Sequence, residues 1–569
     1  MGNFIKTQNN FALGEVSTEF YATNNLRGVA RLNNMHVLQS GALKRRPGLK
    51  KIANAAEGAI IVPFPISETE KYLLVITNLA IDVYSNDVKI ASVVAPWSKN
   101  DLSKLQYAQR FNTLFFVHPD YQPRMLVKTS AGFNLTFFSF SVSGSSRCIP
   151  LMKFDDAQNI SITITASIID NNHATFTANA DFWTNDSVNE LLYVDGKQWI
   201  VESVQTARVA TVYTNTTFSI PADPIYDWYE AAFSNKRGWP ACVSFYQNRL
   251  VFAGTYLAPN TIWMSKVGDY YNFDAGTGLD DEAIYTSLLS TQHHHIITLV
   301  SSDKLQILTS VGEWAVSSNP LTPSTINVKQ HTSVGSIKDV YLPPQQIEGS
   351  TVFVSGAGTD IRELDLDALG EHYNATDLCM FSKHLMNEPV SMSYNPSKHQ
   401  LFIVMQNGYM AVLNKYSNAD ISAWGTYTTD GSFKYVCVFE DATYVIVKRE
   451  SSYYLEKFDD SRLTDIDDKG FSYVVSGFPM IVNGHSPTKI RIRKISVRVI
   501  NTKTIFVNGN RMDIPNFVYD DNSNGYSGDL SINILGTKSN TIEPLWTISS
   551  SEQLPTTILS VKTDGWYLI

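Results

Sequence analysis

Ile60-Ile61-Val62-Pro63-Phe64, Tyr72-Leu73-Leu74-Val75-Ile76, Ile81-Asp82-Val83-Tyr84 and Val88-Lys89-Ile90-Ala91 follow one another within about 35 residues. Each run is short and rich in β-branched or aromatic residues, and polar turns such as Ser85-Asn86-Asp87 separate them. Four short strands at this spacing are the size of one propeller blade. A second unit runs from Leu105-Gln106-Tyr107 through Leu114-Phe115-Phe116-Val117-His118-Pro119 and Arg124-Met125-Leu126-Val127 to Phe133-Asn134-Leu135.

Blade spacing then lapses from about 150 to 235, although Ser161-Ile162-Thr163-Ile164, Leu191-Leu192-Tyr193-Val194 and Val209-Ala210-Thr211-Val212 still read as strands. It resumes at Cys242-Val243-Ser244-Phe245-Tyr246 and recurs near Ile296, Val352, Leu401 and Tyr435. The pattern predicts an all-β chain: a propeller of about six to seven blade-like units, with an inserted β domain and flanking β segments. The expected organisation is an N-terminal strap over 1–55, first blades over 56–149, a platform-like insert over 150–238, further blades over 239–475 and a C-terminal β segment over 476–569. Amphipathic helices are hard to find; Leu364 to His372 makes a turn or two at most.

Composition agrees. Hydrophobic residues are 44% and aromatic ones 12% of 569, while charged residues are only 17%, below the roughly 25% usual for soluble domains. The net charge of −9 argues against a sequence-independent nucleic-acid binder, which wants a basic groove, but not against a wall along which DNA slides. Cys148, Cys242, Cys379 and Cys437 are far apart, with neither zinc-ligand nor disulfide-framework spacing. The opening Met1-Gly2-Asn3-Phe4 has no apolar signal region, and Lys6 stands where a myristoylation site wants Ser or Thr. No apolar run approaches a membrane span.

Chemistry is sparse. In His293-His294-His295, alternation on a strand lets only His293 and His295 share a metal, and no third ligand is near in sequence. Asp465, Asp467 and Gly470 match positions of a calcium loop, but Lys469 and Ser476 occupy ligand places, so a solvated acidic loop is expected. Asp280 and Asp281 are adjacent and point apart, which suits glycoside hydrolysis poorly. The basic run Lys489-Ile490-Arg491-Ile492-Arg493-Lys494 alternates charge with isoleucine and reads as one solvated strand face. Neither catalysis nor a cofactor, metal or small-molecule substrate is expected.

The first fifty residues carry a different signal. Ala12-Leu13-Gly14-Glu15-Val16-Ser17 leads past Leu26-Arg27-Gly28 into Arg31-Leu32-Asn33-Asn34-Met35-His36-Val37 and closes on Gly41-Ala42-Leu43-Lys44-Arg45-Arg46-Pro47-Gly48-Leu49. Lys44, Arg45 and Arg46 form a basic knot beside Pro47 and Gly48, which on its own reads either as a solvated turn or as a contact with an acidic partner or phosphate. This string resembles the N-terminal signature of the tail nozzle proteins (tail tubular protein B family) of short-tailed phages. Further fragments follow in that family's order: Leu114 to Pro119 with Pro123 and Leu126; Arg249 to Gly254, Thr261 to Ser265 and Gly268-Asp269-Tyr270-Tyr271-Asn272-Phe273; Asp280-Asp281-Glu282; Gly312-Glu313-Trp314; Ile361 to Leu364; and Ala423-Trp424. Thr18 departs from the proline that many relatives carry.

The resemblance implies a structural virion protein, assembled in the host cytoplasm, that forms a ring homo-oligomer of about six copies. Such a ring lies beneath portal and adaptor proteins, carries tail fibres or spikes, and passes double-stranded DNA through its lumen without sequence-specific binding. On this reading Lys44, Arg45, Arg46, Pro47 and Gly48 are partner-docking residues. The alternatives are a receptor- or glycan-binding tail protein, including a depolymerase, and a cellular propeller scaffold.

Overall fold

A computed structural model describes residues 2–20, 27–166, 170, 172–482, 486–514, 525–537 and 543–568; Leu26 of the strap and Ile569 lie outside the described residues. The chain is all-β and of the β-propeller class, with an inserted sheet and flanking N- and C-terminal strands. Among the described residues there is no α-helix, only three-residue 3-10 turns. The stretch from Leu364 to His372 is strand as far as Leu366, then turn.

Among the described residues seven four-stranded antiparallel units form the blades: six are sheets of their own, and the one from Pro389 to Tyr427 is the first part of an eleven-stranded sheet. Blade 1 begins at Ile60–Pro65 and blade 2 at Gln106–Arg110; blades 3 and 4 begin at Cys242–Tyr246 and Ile296–Ser301. Blades 5, 6 and 7 begin at Gln345–Ile347, Pro389–Asn395 and Ser432–Phe439. The chain divides into two compact units. One, comprising Met1–Ser92, Pro96–Leu102 and Leu342–Ile569, holds blades 5, 6, 7 and 1; the other, comprising Val93–Ala95 and Ser103–Tyr341, holds blades 2, 3 and 4 with the insert.

Within each unit, successive blades meet along their first strands. Polar side chains stitch these seams: Ser391 Oγ donates to Val436 O and accepts from Val436 N, both at 3.1 Å, and Gln106 Nε2 donates to Cys242 Sγ at 3.7 Å. The seven first strands hold two charged residues, Arg110 and Lys434. Convergence of the first strands, which have apolar faces and few charges, is what pinwheel packing of twisted sheets requires.

Blade 7 is completed from far away. Its strands Ser432–Phe439, Ala442–Arg449 and Ser452–Asp459 take Gly48–Ala55 of the strap as their fourth, antiparallel strand. The strap is therefore built into blade 7. Its Met35–Val37 and Leu43–Arg45 strands enter a sheet with Lys489–Thr502, Tyr526–Asn533 and Thr557–Leu568, and Gly2–Gln8 pairs along Thr557–Leu568. One apolar core joins the two ends of the sequence: Phe11, Val29, Leu32, Met35, Val37 and Leu43 pack with Ile490, Ile495, Val497, Leu530, Ile558 and Val561. The insert is a seven-stranded sheet between Leu151 and Ala231, around buried Phe176, Trp199 and Trp228.

Candidate functional site

Leu43–Arg45 belongs to the terminal sheet and Gly48–Ala55 to blade 7, so Arg46 and Pro47 hand the chain from one sheet to the other. Pro47 keeps Arg46 extended, and Arg46 points inward with no exposed surface. Its Nη1 and Nη2 donate to both carboxylate oxygens of Asp465 at 3.0 Å. Nε donates to Asn34 Oδ1 (2.9 Å), Nη1 to Pro47 O (2.8 Å) and Nη2 to Thr428 O (2.9 Å). The guanidinium also lies 3.5 Å from the ring centre of Phe471. Every donor is used, which is how a buried cation becomes tolerable.

The other strap residues close the same node. Asn34, in the left-handed region at φ 55°, accepts Thr428 N and donates from Nδ2 to Ser472 O at 2.7 Å. Arg45 donates from Nη2 to Phe471 O and from Nη1 to Leu554 O, with its guanidinium 4.5 Å from the Phe471 ring centre. Glu15 accepts Leu32 N at 2.7 Å and holds His384 Nε2 at 3.1 Å. Gly48 is needed because blade 7's connection passes against it: a Cβ there would lie 2.0 Å from Thr464 O. Gly14 crosses Trp424 equally closely, at 2.1 Å from Trp424 O.

Two expectations change accordingly. Arg45 and Arg46 are an internal staple, 2% and 0% exposed, and do not form an outward docking knot with Pro47 and Gly48. The acidic loop of 459–470 is not simply solvated: Asp465 is buried as the counter-ion of Arg46, and also accepts Thr429 Oγ1 at 2.7 Å. No pattern in one sequence could have paired residues 419 positions apart. Of the basic knot, Lys44 alone is exposed, without a partner among the described residues. It lines an open groove of about 640 Å³ with Leu38, Asp460, Ile500, Lys503 and Leu559.

The remaining motif residues are structural as well. Asp269 Oδ1 closes an Asx turn on Tyr271 N at 3.2 Å. Tyr270 and Tyr271 pack on Phe245 and Phe138. Arg249 donates to the carbonyls of Ser265 (2.7 Å), Glu282 (2.6 Å) and Asp280 (3.0 Å), which fixes the acidic step. Glu282 Oε2 in turn accepts the backbone N–H groups of Thr277, Gly278 and Leu279 at 2.6–2.8 Å. In the histidine run, His293 and His295 are exposed, and buried His294 receives Trp314 Nε1 at 3.4 Å beside Thr309 Oγ1 at 2.9 Å.

Asp360, Asp377 and Cys379 bring ligand atoms together in blade 5. Lys383 Nζ already contacts both carboxylates, at 2.9 and 3.1 Å, and Arg362 takes Asp360 at 3.1 Å. Burial holds the Cys379 thiol up at about 12, so it is protonated at neutral pH. This cluster is already charge-compensated and does not fit a cation.

The insert is the acidic part of the chain. Between 150 and 238 there are eleven Asp and Glu against five Lys and Arg. Nine of those carboxylates are exposed; Glu190 and Glu230 are buried where the insert ends. Glu230 is gripped by Arg237 at 2.8 and 2.6 Å, and Glu190 accepts Ser234 Oγ at 3.1 Å. Burial, with Glu230 beside it, pushes Glu190 up to about 8.

No protein-family model matches the chain, and no curated protein matches it. Among solved structures it is similar to BamB from Moraxella catarrhalis, at 8% identity and a TM-score of 0.33, over 73% of this chain and 100% of that one. It is also similar to the RRP9 WD40 repeats, at 8% identity and a TM-score of 0.28, over 62% and 97%.

Proposed function

We propose that this chain is a structural protein of a short phage tail: a nozzle subunit that assembles as a ring of about six copies, guides and gates genome DNA during ejection, and carries fibres or spikes. The observation that carries the reading is the ordered string of nozzle-like motifs from Gly14 to Trp424. Its support is physical economy. Gly14, Glu15, Asn34, Arg46 and Gly48 meet residues 382–384, 424–428 and 464–473 in one interlocked node, so the N-terminal part of the string serves as a set of folding contacts.

The mechanism is mechanical and electrostatic. A strap woven between a blade and the terminal sheet resists being pulled out, because its backbone pairs along Gly48–Ala55 must all break together. A net charge of −9 per copy gives the walls little hold on phosphate, so DNA moves past without being gripped. Lys44 and its groove are the part of the strap left open to a neighbouring adaptor protein. The virion tail is the proposed location.

The test is immunogold electron microscopy of the parent particle with an antibody against this chain. Label ringing the distal end of a short tail is expected. Label on fibre or spike tips favours the receptor-binding alternative, and virions without label sink both.

A further inference from the structure

Lys489–Thr502 runs through the terminal sheet with Ile490, Ile492, Ile495, Val497 and Val499 buried, and Lys489, Arg491, Arg493, Lys494 and Arg498 exposed. Two of the five cations are satisfied within the sheet: Arg493 by Asp564 at 2.6 Å and Arg498 by both oxygens of Asp529 at 2.8 Å. Lys489, Arg491 and Lys494 have no partner among the described residues. A face meant only for water would surround such cations with polar groups. Here the register sets Lys489 opposite Leu568, which is 41% exposed, and Arg491 opposite half-buried Trp566, while Lys494 alone lies between polar neighbours, Asp564 and Asn533. On the adjoining Gly2–Gln8 strand, Ile5 is 67% exposed.

The insert presents the opposite combination. Leu151–Met152 pairs with Trp228–Ala231 and Lys153 Nζ donates to Tyr226 O, so Asp155 and Asp156 follow the first strand beside the stretch that carries Asp223 and Asp227 ahead of the second. Asp156 is held by Arg237 at 2.8 Å, while Asp155 and Asp223 have no side-chain partner among the described residues. Ile220, Tyr226 and Tyr229 are exposed in the same stretch, at 52%, 59% and 37%. One face is cationic with exposed aliphatic and indole surface; the other is anionic with exposed aliphatic and phenol surface.

We infer that the acidic–aromatic edge of the insert in one copy docks on the cationic outer face of the terminal sheet in the next copy. The two patches are different surfaces of the same chain, so the contact is heterologous, and repetition closes into a ring when the rotation allows. Opposite charge steers and registers the contact, while the exposed apolar side chains supply burial. The inference rests on the ring reading and adds the surfaces that make the ring.

The experiment is sedimentation velocity of the purified full chain across a concentration and salt series. Its variants are Arg491→Glu with Lys494→Glu, Asp223→Lys with Asp227→Lys, and the four changes combined. The substituted positions are exposed, so thermal melting of each variant should match the parent. Each two-site variant should raise the association midpoint by about tenfold or more, since it sets like charges against each other, and the four-site variant should recover most of the loss. Added salt should weaken the parent's association and ease the two-site defects. Two-site variants that assemble as the parent does, or a four-site variant that stays dissociated, overturn the inference while leaving the ring reading intact. A parent chain that is monomeric throughout overturns both. Unchanged assembly with lost retention of a duplex DNA probe reassigns the cationic face to nucleic acid and likewise overturns the inference.

Discussion

Replacing Arg46 by Met is the sharpest test of how the strap is held. The side chain is fully buried and makes five hydrogen bonds, two of them to the Asp465 carboxylate, whose side chain is 2% exposed. Removing one partner of a buried ion pair leaves an uncompensated charge and typically costs about 3–5 kcal/mol. Thr429 Oγ1 still reaches Asp465, so the lower half of that range is expected. At about 2 °C per kcal/mol, the scale for large domains, melting should fall by roughly 6–8 °C. Arg46→Lys keeps the charge but loses the fork and should fall in between. Arg46→Met with Asp465→Leu removes both charges and should recover much of the single variant's loss. Differential scanning calorimetry on the parent, Arg46→Met, Asp465→Leu and the double variant measures the coupling. A coupling below about 1 kcal/mol, or a double variant worse than the sum of the singles, refutes the staple. Were Arg46 a docking residue instead, Arg46→Met would leave the isolated chain's stability untouched.

Gly48→Ala should destabilise by about 1–3 kcal/mol, because the new methyl group would have to displace the Thr464 carbonyl; chemical denaturation measures it, and a neutral effect would mean that the crossing is looser than described. Glu190 is protonated more readily in the folded chain than in the unfolded one, where its ordinary value is 4.5, so the native state retains a proton that the unfolded chain releases. Its contribution is therefore intact below about 4.5 and is lost as pH rises towards about 8; Glu190→Gln should flatten the fall in melting temperature across that window, and an unchanged slope would refute the assignment. Glu282→Ala removes the acceptor for three backbone N–H groups, so limited proteolysis should cut faster within 274–282; an unchanged cleavage pattern would show that other contacts hold the loop.

Strand existence and blade spacing were legible in the sequence because they are local. A run such as Leu401-Phe402-Ile403-Val404-Met405 is too short for a helix and reads as a buried strand, and short strands between polar turns set the size of a meander. The alternation from Lys489 to Arg493 likewise fixed which side chains face outward before any partner was known, whereas Lys494 faces outward through a register shift that the pattern does not show. The strap's destination was not legible: Gly48–Ala55 lies about 400 residues from the strands it pairs with, and nothing in its own pattern distinguishes blade 7 from any other open sheet edge. The role of Arg46 turned on the same limit. Lys44-Arg45-Arg46 is a surface charge cluster by composition, and only the tertiary fold, by bringing Asn34, Thr428, Asp465 and Phe471 around one guanidinium, made burial cheaper than exposure. Local periodicity fixes elements and faces, but long-range partners decide which charges are kept inside and which remain for a neighbour.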